Sequence, residues 1–476
     1  MIDSLILIVY VGLMLGLGFL LTNRIREYKD YFLAGGALTT PILVCTLVST
    51  YYELDVTFAT SETAFHEGLV AWFWLSRPYY IAIFAAAFIL VRRLKSRNFM
   101  TLPEILGSHY GSGARAMGAL ACFLYSLPIV AIAGMMLLFE TLGWPLGLSL
   151  TVTIGICTIY TLLGGLWADA VSDTLQFILM CASLAFAIPL VVEKAGGWDF
   201  TNHLPSSHMT PTGNVNPWLL AAWASTALTV FVEPAFYQRI FAAKDVKSVR
   251  NSLLIGIFLW ASYDWGVTII GLAARSLVAQ GLLDSTLEGK TALLTVCLQT
   301  LPVGLKGLFL GGILAAAMSS IDSYALLASG NLVYDIWKPL VNPKLSDRQL
   351  IRWTRVGVFL VFLIALGLTM AFDRIRDAWV FMASILTSVV LVPVMGALFM
   401  KPTRASGLLA SGAGFIALGL FYTLIYSQGQ YDEDAESWVW RLSSGFEIWR
   451  EYAVLSALPI SATFFFLGQK FKGRMP

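Results

Sequence analysis

Long apolar runs, separated by short polar connections, dominate this chain. A helix needs roughly 20 apolar residues to cross a hydrocarbon core about 30 Å thick. We predict about thirteen transmembrane helices from the runs that reach this length. They lie at 2–22, 41–62, 69–91, 115–140, 147–165, 170–193, 217–243, 252–279, 305–335, 351–372, 378–400, 404–427 and 452–470. We therefore expect an all-α integral membrane protein that forms one domain over residues 1–476.

Composition supports a membrane protein and excludes several other classes. Charged residues make up 13% of the chain and hydrophobic residues 58%, whereas a soluble domain carries about 25% charged residues. The net charge of +2 is too small to suggest nucleic-acid binding. The chain has no G-x-x-x-x-G-K-[ST] motif to hold a nucleotide. We expect the lipid bilayer as its environment, with no cofactor and no obligate protein partner.

The placement of lysine and arginine predicts the orientation, because cytoplasmic connections are enriched in these residues. With the N-terminus outside, 22 of the 31 basic residues fall on the cytoplasmic side of the predicted helices and 9 fall elsewhere. This asymmetry predicts a multi-pass protein of the plasma (inner) membrane, with its N-terminus outside and its C-terminus in the cytoplasm.

The second apolar segment is interrupted by polar residues at mid-depth. It begins at Pro41, a favourable first helical position, but its middle contains Glu53 and Asp55. A charge at the membrane centre costs about 2.5–3.5 kcal/mol on insertion scales, so these residues need a reason. A break here would free backbone carbonyls to bind a cation. The alternative is a continuous helix whose polar side packs inside the bundle.

Segments seven and six also carry unusual residues. Pro234 removes a backbone hydrogen bond from segment seven and predicts a kink or a break there.

In segment six, Asp169 is expected at the inner edge, solvated at a helix N-terminus. Asp173 lies one turn deeper and is the better candidate for an ion ligand.

Segment nine places oxygen-bearing side chains on one helix face. Ala316, Ser319, Asp322 and Ser323 follow helical spacing, and the small residues before them would let another backbone approach closely. Hydroxyl and carboxylate oxygens are the ligands that hard cations such as sodium prefer. The alternative is that the serines bond to carbonyls of their own helix. The aspartate beside them favours an ion site.

These segments carry motifs that resemble the sodium:solute symporter family, which includes bacterial proline, sugar and sialic acid symporters. In order, the motifs are DYFLAGG at 30–36, GGL at 164–166, DTLQ at 173–176, EP at 233–234, QR at 238–239, AAK at 242–244 and AAMSS at 316–320. Each motif is weak alone, but their order and spacing together are specific. The resemblance covers roughly residues 28 to 400.

The resemblance implies a LeuT-type fold of two inverted five-helix repeats with two interrupted helices. The repeats would lie at 41–193 and 217–400, with a peripheral first helix at 2–22 and peripheral C-terminal helices at 404–476.

The resemblance also implies the ion sites. A sodium ion would be held by three main-chain carbonyls and two hydroxyls, those of Ser49, Tyr52, Ala316, Ser319 and Ser320. A second cation would lie near Asp173, Asp322 and Ser323. Position 322 is often a hydroxyl residue in the family and is an acid here. Because two acids that share a site cannot both stay ionised without a cation, we expect a second sodium or a bound proton.

Sodium-coupled symport of a small organic solute into the cytoplasm, by alternating access, is the function that these features predict. An uncoupled channel or facilitator is one alternative, and it would pass the solute without ion coupling. An intramembrane enzyme is another, because acids lie within the bilayer. The chain has no His-Glu-x-x-His helix to support it.

The balance of charge at membrane depth gives a hypothesis for the solute. Arg77 is the one base predicted there, against the six acids Glu53, Asp55, Asp173, Glu233, Asp264 and Asp322. We expect Arg77 to pair with Glu53, and Glu233 to lie close to Arg239.

Asp55 and Asp264 would then face a cavity and favour an amine-bearing or quaternary-ammonium solute, with tyrosine rings as a cation–π face. A rival is a zwitterion or an organic acid held through Arg77. The candidate substrate-contacting residues are Tyr51, Asp55, Val56, Arg77, Tyr79, Tyr80, Thr226, Thr229 and Asp264.

Overall fold

Helices make up nearly all of the described chain. The computed structural model describes residues 2–21, 26–52, 54–97, 99–370, 375–432 and 437–471. The helices of the first part are α1 (Ile2–Leu21), α2 (Tyr28–Leu33), α3 (Thr40–Tyr51), α4 (Leu54–Glu67), α5 (Arg77–Ile89), α6 (Val91–Lys95), α7 (Leu102–Tyr110), α8 (Ser112–Tyr125), α9 (Ile129–Thr141) and α10 (Leu146–Lys194).

The second part continues the helical pattern. Its helices are α11 (Pro217–Ser225), α12 (Pro234–Ala242), α13 (Val246–Ala279), α14 (Gly289–Thr300), α15 (Leu305–Gly330), α16 (Lys338–Leu340), α17 (Asp347–Thr369), α18 (Ile375–Leu386), α19 (Val392–Phe399), α20 (Arg404–Gln428) and α21 (Ala453–Gln469). Wider π-helical turns at Ala71–Ser76, Asn331–Trp337 and Thr387–Leu391 join consecutive helices.

Ten helical spans in the described ranges are long and apolar enough to cross a membrane, and the bent pair α3 and α4 makes an eleventh. Helix α1 is not one of these spans, because its apolar helical stretch, Ile2–Leu17, is shorter. The predicted fifth segment, 147–165, is not among the ten. The number of thirteen crossings therefore stays a prediction, and so does the orientation.

The first interruption lies between α3 and α4, where the sequence predicts it. Helix α3 ends at Tyr51, and Tyr52 has non-helical backbone angles of φ −91° and ψ 58°. The helices Thr40–Tyr51 and Val56–Glu67 are bent by 52° relative to each other. The alternative of a straight, continuous helix is therefore wrong. Glu53 and the side chain of Asp55 lie outside the described residues.

The second interruption separates α11 from α12. After Ser225 the chain tightens into a 3-10 helix over Thr226–Phe231, and Glu233 is extended with φ −72° and ψ 125°. Pro234 then begins α12 at a first-turn position, where its missing N–H leaves no hydrogen bond unmade. The proline thus marks a break between two helices rather than a kink within one.

Predicted segments five and six are joined in the long helix α10, which has one non-helical residue inside it. Gly165 has φ 54° and ψ −166°, a region of backbone angles open essentially to glycine alone. A Cβ at this position would also lie 2.6 Å from the carbonyl oxygen of Tyr31. Glycine is therefore required both by the backbone angles and by the close approach of α2.

Helix α15 lies in the interior of the bundle. Every residue from Phe309 to Gly330 is buried. Its small residues let α10 approach closely: a Cβ on Gly312 would lie 2.3 Å from Ser183 Oγ and 3.3 Å from the carbonyl oxygen of Leu179. Helix α15 also packs against α3 and α17, so it connects the interrupted helix α3–α4 to the rest of the bundle.

A small antiparallel sheet follows α20 and departs from the predicted all-α fold. Its strands are β1 (Gln430–Asp432), β2 (Ser437–Arg441) and β3 (Glu447–Trp449), with β2 in the middle. Arg441 forms ion pairs with Asp432 on β1 and, at 3.0 Å, with Glu447 on β3. The sheet occupies the polar connection predicted at 428–451, so the membrane-spanning part is still helical.

Candidate functional site

The end of α3 lies against the serine pair of α15. Ser319 Oγ donates hydrogen bonds to the carbonyl oxygens of Ser49, at 3.1 Å, and Ala316, at 3.0 Å. Ser320 Oγ donates to the carbonyl oxygen of Ala316 at 3.0 Å. Tyr52 stands three residues after Ser49, at the break itself. The structure thus brings four of the five predicted sodium ligands together. It also contains the alternative arrangement, in which both serine hydroxyls donate to a carbonyl of their own helix.

This arrangement can offer several oxygen atoms to one cation. A serine hydroxyl that donates its proton to a carbonyl still has lone pairs to share. The last four carbonyls of a helix generally lack a partner within the helix, and α3 ends at Tyr51. A cation held here would join α3 to α15. Ligation of sodium by these residues stays a prediction.

A buried guanidinium lies close to this region. Arg239 on α12 is 1% exposed, and its Nη2 lies 3.1 Å from Asp169 Oδ2 and 4.0 Å from Asp173 Oδ2. The same nitrogen donates to Thr50 at 2.8 Å and to Ser323 at 2.6 Å. This Arg239 cluster joins helices α3, α10, α12 and α15.

The Arg239 cluster corrects one expectation. Asp169 is buried and accepts a hydrogen bond from Ser323 Oγ at 2.8 Å, so it is not a solvated residue at the membrane edge. Arg239 forms its ion pair with Asp169, and it also lies near enough to Glu233 for its charge to act on that carboxyl group. The short helix α12 runs through the interior and buries this basic side chain.

The proposed second-cation residues are only partly brought together. Asp173 and Ser323 both lie at the Arg239 cluster, where Asp173 Oδ2 accepts from Thr46 Oγ1 at 2.5 Å. Asp322 is buried on α15, at 2% exposure. A second cation at Asp173 and Ser323 would therefore share its surroundings with the charge of Arg239.

A cavity of about 90 Å³ lies beside the break between α3 and α4. At about 10–15 Å³ per water position, it has room for roughly six to nine waters or a small solute. Eight of its lining residues are aromatic: Tyr51, Tyr52, Tyr79, Tyr80, Tyr125, Tyr324, Trp260 and Trp379. Two are acids, Glu233 and Asp264, and none of the described lining residues is lysine, arginine or histidine.

Both cavity acids are buried and bound by tyrosine. Glu233 accepts a hydrogen bond from Tyr324 Oη at 2.6 Å. Asp264 accepts one from Tyr80 Oη. The exposed fractions of Glu233 and Asp264 are 1% and 4%, so solvent only weakly screens any charge on these two groups.

Five of the nine predicted substrate residues line this cavity: Tyr51, Val56, Tyr79, Tyr80 and Asp264. Thr226 and Thr229 are not among the described lining residues, and their hydroxyls donate to the carbonyls of Trp223 and Thr226. The side chain of Asp55 lies outside the described residues.

The placement of Arg77 in the cavity is wrong. Its side chain is exposed, and its guanidinium lies 4.8 Å from the centre of the Phe73 ring. Arg77 is the first residue of α5, where the π-helical turn Ala71–Ser76 ends, and it is not among the described residues that line the cavity. The idea that it holds a substrate carboxylate has no support in this geometry.

Glu233, Tyr324 and Trp260 line the cavity but were not predicted to contact the solute. The sequence contained a signal for two of them. Glu233 is an acid at the proline break of a membrane segment, and Trp260 stands one helical turn before Asp264. Tyr324 gave no comparable signal, because its role depends on how α15 packs against α12.

Comparisons with known proteins agree with this architecture. The chain is 25% identical over 415 residues to sodium/glucose cotransporter 4 of Danio rerio, which covers 77% of this chain and 62% of that protein. It is 23% identical over 436 residues to high affinity choline transporter 1 of Homo sapiens, covering 82% and 71%. The chain thus spans about six-tenths of the length of the glucose cotransporter.

A solved structure gives the same result for the fold. The substrate-bound, outward-open state of a Na+-coupled sialic acid symporter matches this chain with a TM-score of 0.80 at 18% identity, covering 99% of this chain and 98% of that one. This likeness confirms the predicted LeuT-type transporter fold. The family model described as "Sodium:solute symporter family" matches residues 31–414. The protein belongs to the sodium:solute symporter family.

Proposed function

We propose that this protein is a sodium-coupled symporter that carries a small, amine-bearing organic solute into the cytoplasm by alternating access. The observation that carries the proposal is the position of the aromatic, acidic cavity. It lies directly beside the break after α3, where the predicted sodium ligands of α3 and α15 meet. Interrupted helices that expose backbone carbonyls at the centre of a bundle are the usual ion sites of such transporters.

Sodium and solute would be coupled through α3. A cation between Ser49 on α3 and Ser319 on α15 would fix the end of α3. Tyr51 is the last residue of α3 and Tyr52 follows it, and both line the cavity. Sodium binding would therefore order two residues that contact the solute, which gives positive cooperativity between the two ligands. The cation would enter from outside, and an inward-negative potential would add about 2.3 kcal/mol per 100 mV for each net charge moved.

The chemistry of the cavity favours an amine. Aromatic rings attract cations through their faces, and eight tyrosine and tryptophan side chains line this cavity together with two carboxylates. A carboxylate-bearing solute would meet two acids and no base among the described lining residues. The similarity to a choline transporter is consistent with an amine, whereas the similarity to a glucose cotransporter makes a neutral sugar the outcome to test against.

A ligand screen by thermal unfolding tests this proposal. Purified protein would be heated with amines, amino acids, organic acids and sugars, each in sodium and in potassium buffer. A ligand at a hundred times its dissociation constant stabilises a protein by about 2.7 kcal/mol. We expect stabilisation by amines and more of it in sodium. Stabilisation only by sugars or only by simple carboxylates would overturn the assignment of the solute.

A further inference from the structure

The two carboxylates of the cavity belong to different parts of its wall. Glu233 stands at the N-terminus of α12, and its partner Tyr324 comes from α15. The ring of Tyr324 lies 6.2 Å from that of Tyr125, near the end of α8. Glu233 is thus held where α8, α12 and α15 meet.

Asp264 is held on another side of the cavity. It lies in the middle of α13, and its partner Tyr80 comes from α5. The hydroxyl groups of Ser76 and Tyr52 are also close to this carboxylate. The neighbours of Asp264 therefore come from α3, α5 and the turn before α5, and none of them is the tyrosine that binds Glu233.

Aromatic rings in contact with one another stand within one helical turn of each acid along the chain. The Tyr51 ring is 6.5 Å from Phe236, one turn after Glu233 on α12. It is also 5.5 Å from Trp260, one turn before Asp264 on α13. Tyr51 and Trp260 line the cavity. The cavity that contains both carboxylates thus also has an aromatic surface, which suits the apolar chain of a solute.

The charge balance points to a solute with two positive groups. A buried carboxylate is costly without a partner of opposite charge. The nearest buried base on α12, Arg239, pairs with Asp169 at 3.1 Å, and among the described contacts its charge acts on Glu233 without forming an ion pair with it. A solute with one ammonium group could match one acid and would leave the other acid without a cation. Building on the amine-bearing solute proposed above, we infer that the transported solute is a short dication, with one positive group at Glu233 and the other at Asp264.

The size of the cavity is compatible with such a solute. A volume of about 90 Å³ has room for a short, slender molecule. A linear diamine, or an amine joined to a guanidinium by a short chain, has the required form: a positive group at each end and methylene groups that can pack on Tyr51 and Trp260.

Thermal stabilisation by matched pairs of ligands tests this inference. The probes are the linear diamines from ethylenediamine to hexamethylenediamine, each paired with the monoamine of the same chain length, in sodium buffer. We expect the best diamine to stabilise wild-type protein at a concentration lower by about tenfold or more than its monoamine, because it makes one further charge-assisted contact. We also expect a maximum at one chain length.

Two variants assign the two ends of the solute. Glu233→Gln and Asp264→Asn each remove one carboxylate and keep the shape of the side chain. Each is expected to bring the diamine close to the affinity of its monoamine. Sodium-dependent stabilisation of each variant is the control for folding, and the comparison on wild-type protein stands even if a variant does not fold.

The outcomes separate this inference from the proposed function. If monoamines stabilise the wild-type protein as well as diamines do, the dication is wrong while the amine-bearing solute stands. If no amine stabilises it in sodium, both are wrong. If the diamine is preferred but only one variant loses that preference, the second carboxylate is not a contact, and the two-site inference is overturned.

Discussion

The sodium dependence of uptake should be most sensitive to changes at Ser319 and Ser320. We predict that Ser319→Ala and Ser320→Ala each raise the sodium concentration for half-maximal uptake by about tenfold or more, because a polar contact to a charged group is worth about 1.5–3 kcal/mol. Maximal uptake should change less. The measurement is solute uptake against sodium concentration.

Ser329→Ala is the matched control for these variants. Ser329 is also buried on α15, and its hydroxyl donates only to the carbonyl of Leu326, at 2.9 Å, among the described contacts. It should keep the parental sodium dependence. If both Ser319→Ala and Ser320→Ala also keep the parental half-saturation, sodium is bound elsewhere.

Arg239 should be important for stability as well as for position. We predict that Arg239→Ala lowers the free energy of unfolding by about 3–5 kcal/mol, because it leaves buried carboxylates without their cation. Adding Asp169→Asn to this variant should recover part of the loss, since one uncompensated charge is then removed. The midpoint of thermal unfolding in detergent measures both effects.

An exposed arginine provides the comparison. Arg441 pairs with Asp432 and Glu447, but its side chain is 54% exposed, and exposed ion pairs contribute about 0–1 kcal/mol. Arg441→Ala should therefore change the unfolding midpoint little. The view of Arg239 as an essential buried partner fails if Arg239→Ala is no more destabilising than Arg441→Ala.

Individual residues differed in how far the sequence could place them. Asp264 was placed correctly at the cavity because it is an acid in the middle of a long apolar run. Arg239 was expected only as a neighbour of Glu233, and its central position was not predicted. Its burial depends on α3, α10 and α15 supplying five polar partners around it, which a linear pattern does not contain.

At the level of single elements, Gly165 divides α10 and gives a direct test of that division. We predict that Gly165→Ala destabilises the protein by more than about 1–2 kcal/mol, since an L-residue at φ 54° is strained and the new Cβ would clash with the Tyr31 carbonyl. Thermal unfolding measures the effect.

Gly155→Ala, in the same helix, is its control. A Cβ at Gly155 would have nothing within 4 Å, so alanine should be neutral or stabilising by up to about 1 kcal/mol, as expected within a helix. Equal unfolding midpoints for the two variants would show that α10 tolerates an ordinary helical residue at position 165, contrary to the structure.

The interrupted helices were the elements that the sequence predicted best. Acids and a proline in otherwise apolar segments indicated both breaks, because neither is stable in a continuous lipid-facing helix. The π-helical turns at Ala71–Ser76 and Asn331–Trp337 were not indicated. Their residues are compatible with an ordinary helix, and the wider turn depends on packing against neighbouring helices.

For the whole molecule, hydropathy was sufficient to predict a helical membrane protein, because a bilayer permits few other structures. The sheet of β1, β2 and β3 was missed. Its strands are three to five residues long and lie in a polar connection, so they give no alternating pattern long enough to recognise. The cavity could be predicted only in part, since its walls come from many elements that are distant in sequence, namely α3, α4, α5, α8, α9, α13, α15 and α18.

The central claim, coupling of an amine-bearing solute to sodium, is tested most directly by uptake into proteoliposomes. Purified protein would be reconstituted, and a labelled amine selected by thermal stabilisation would be followed under an inward sodium gradient or an equal potassium gradient. We predict accumulation above the external concentration with sodium, equilibration at most with potassium, and loss of the accumulated solute when an ionophore collapses the sodium gradient. Equal amine flux with and without the sodium gradient would contradict the account.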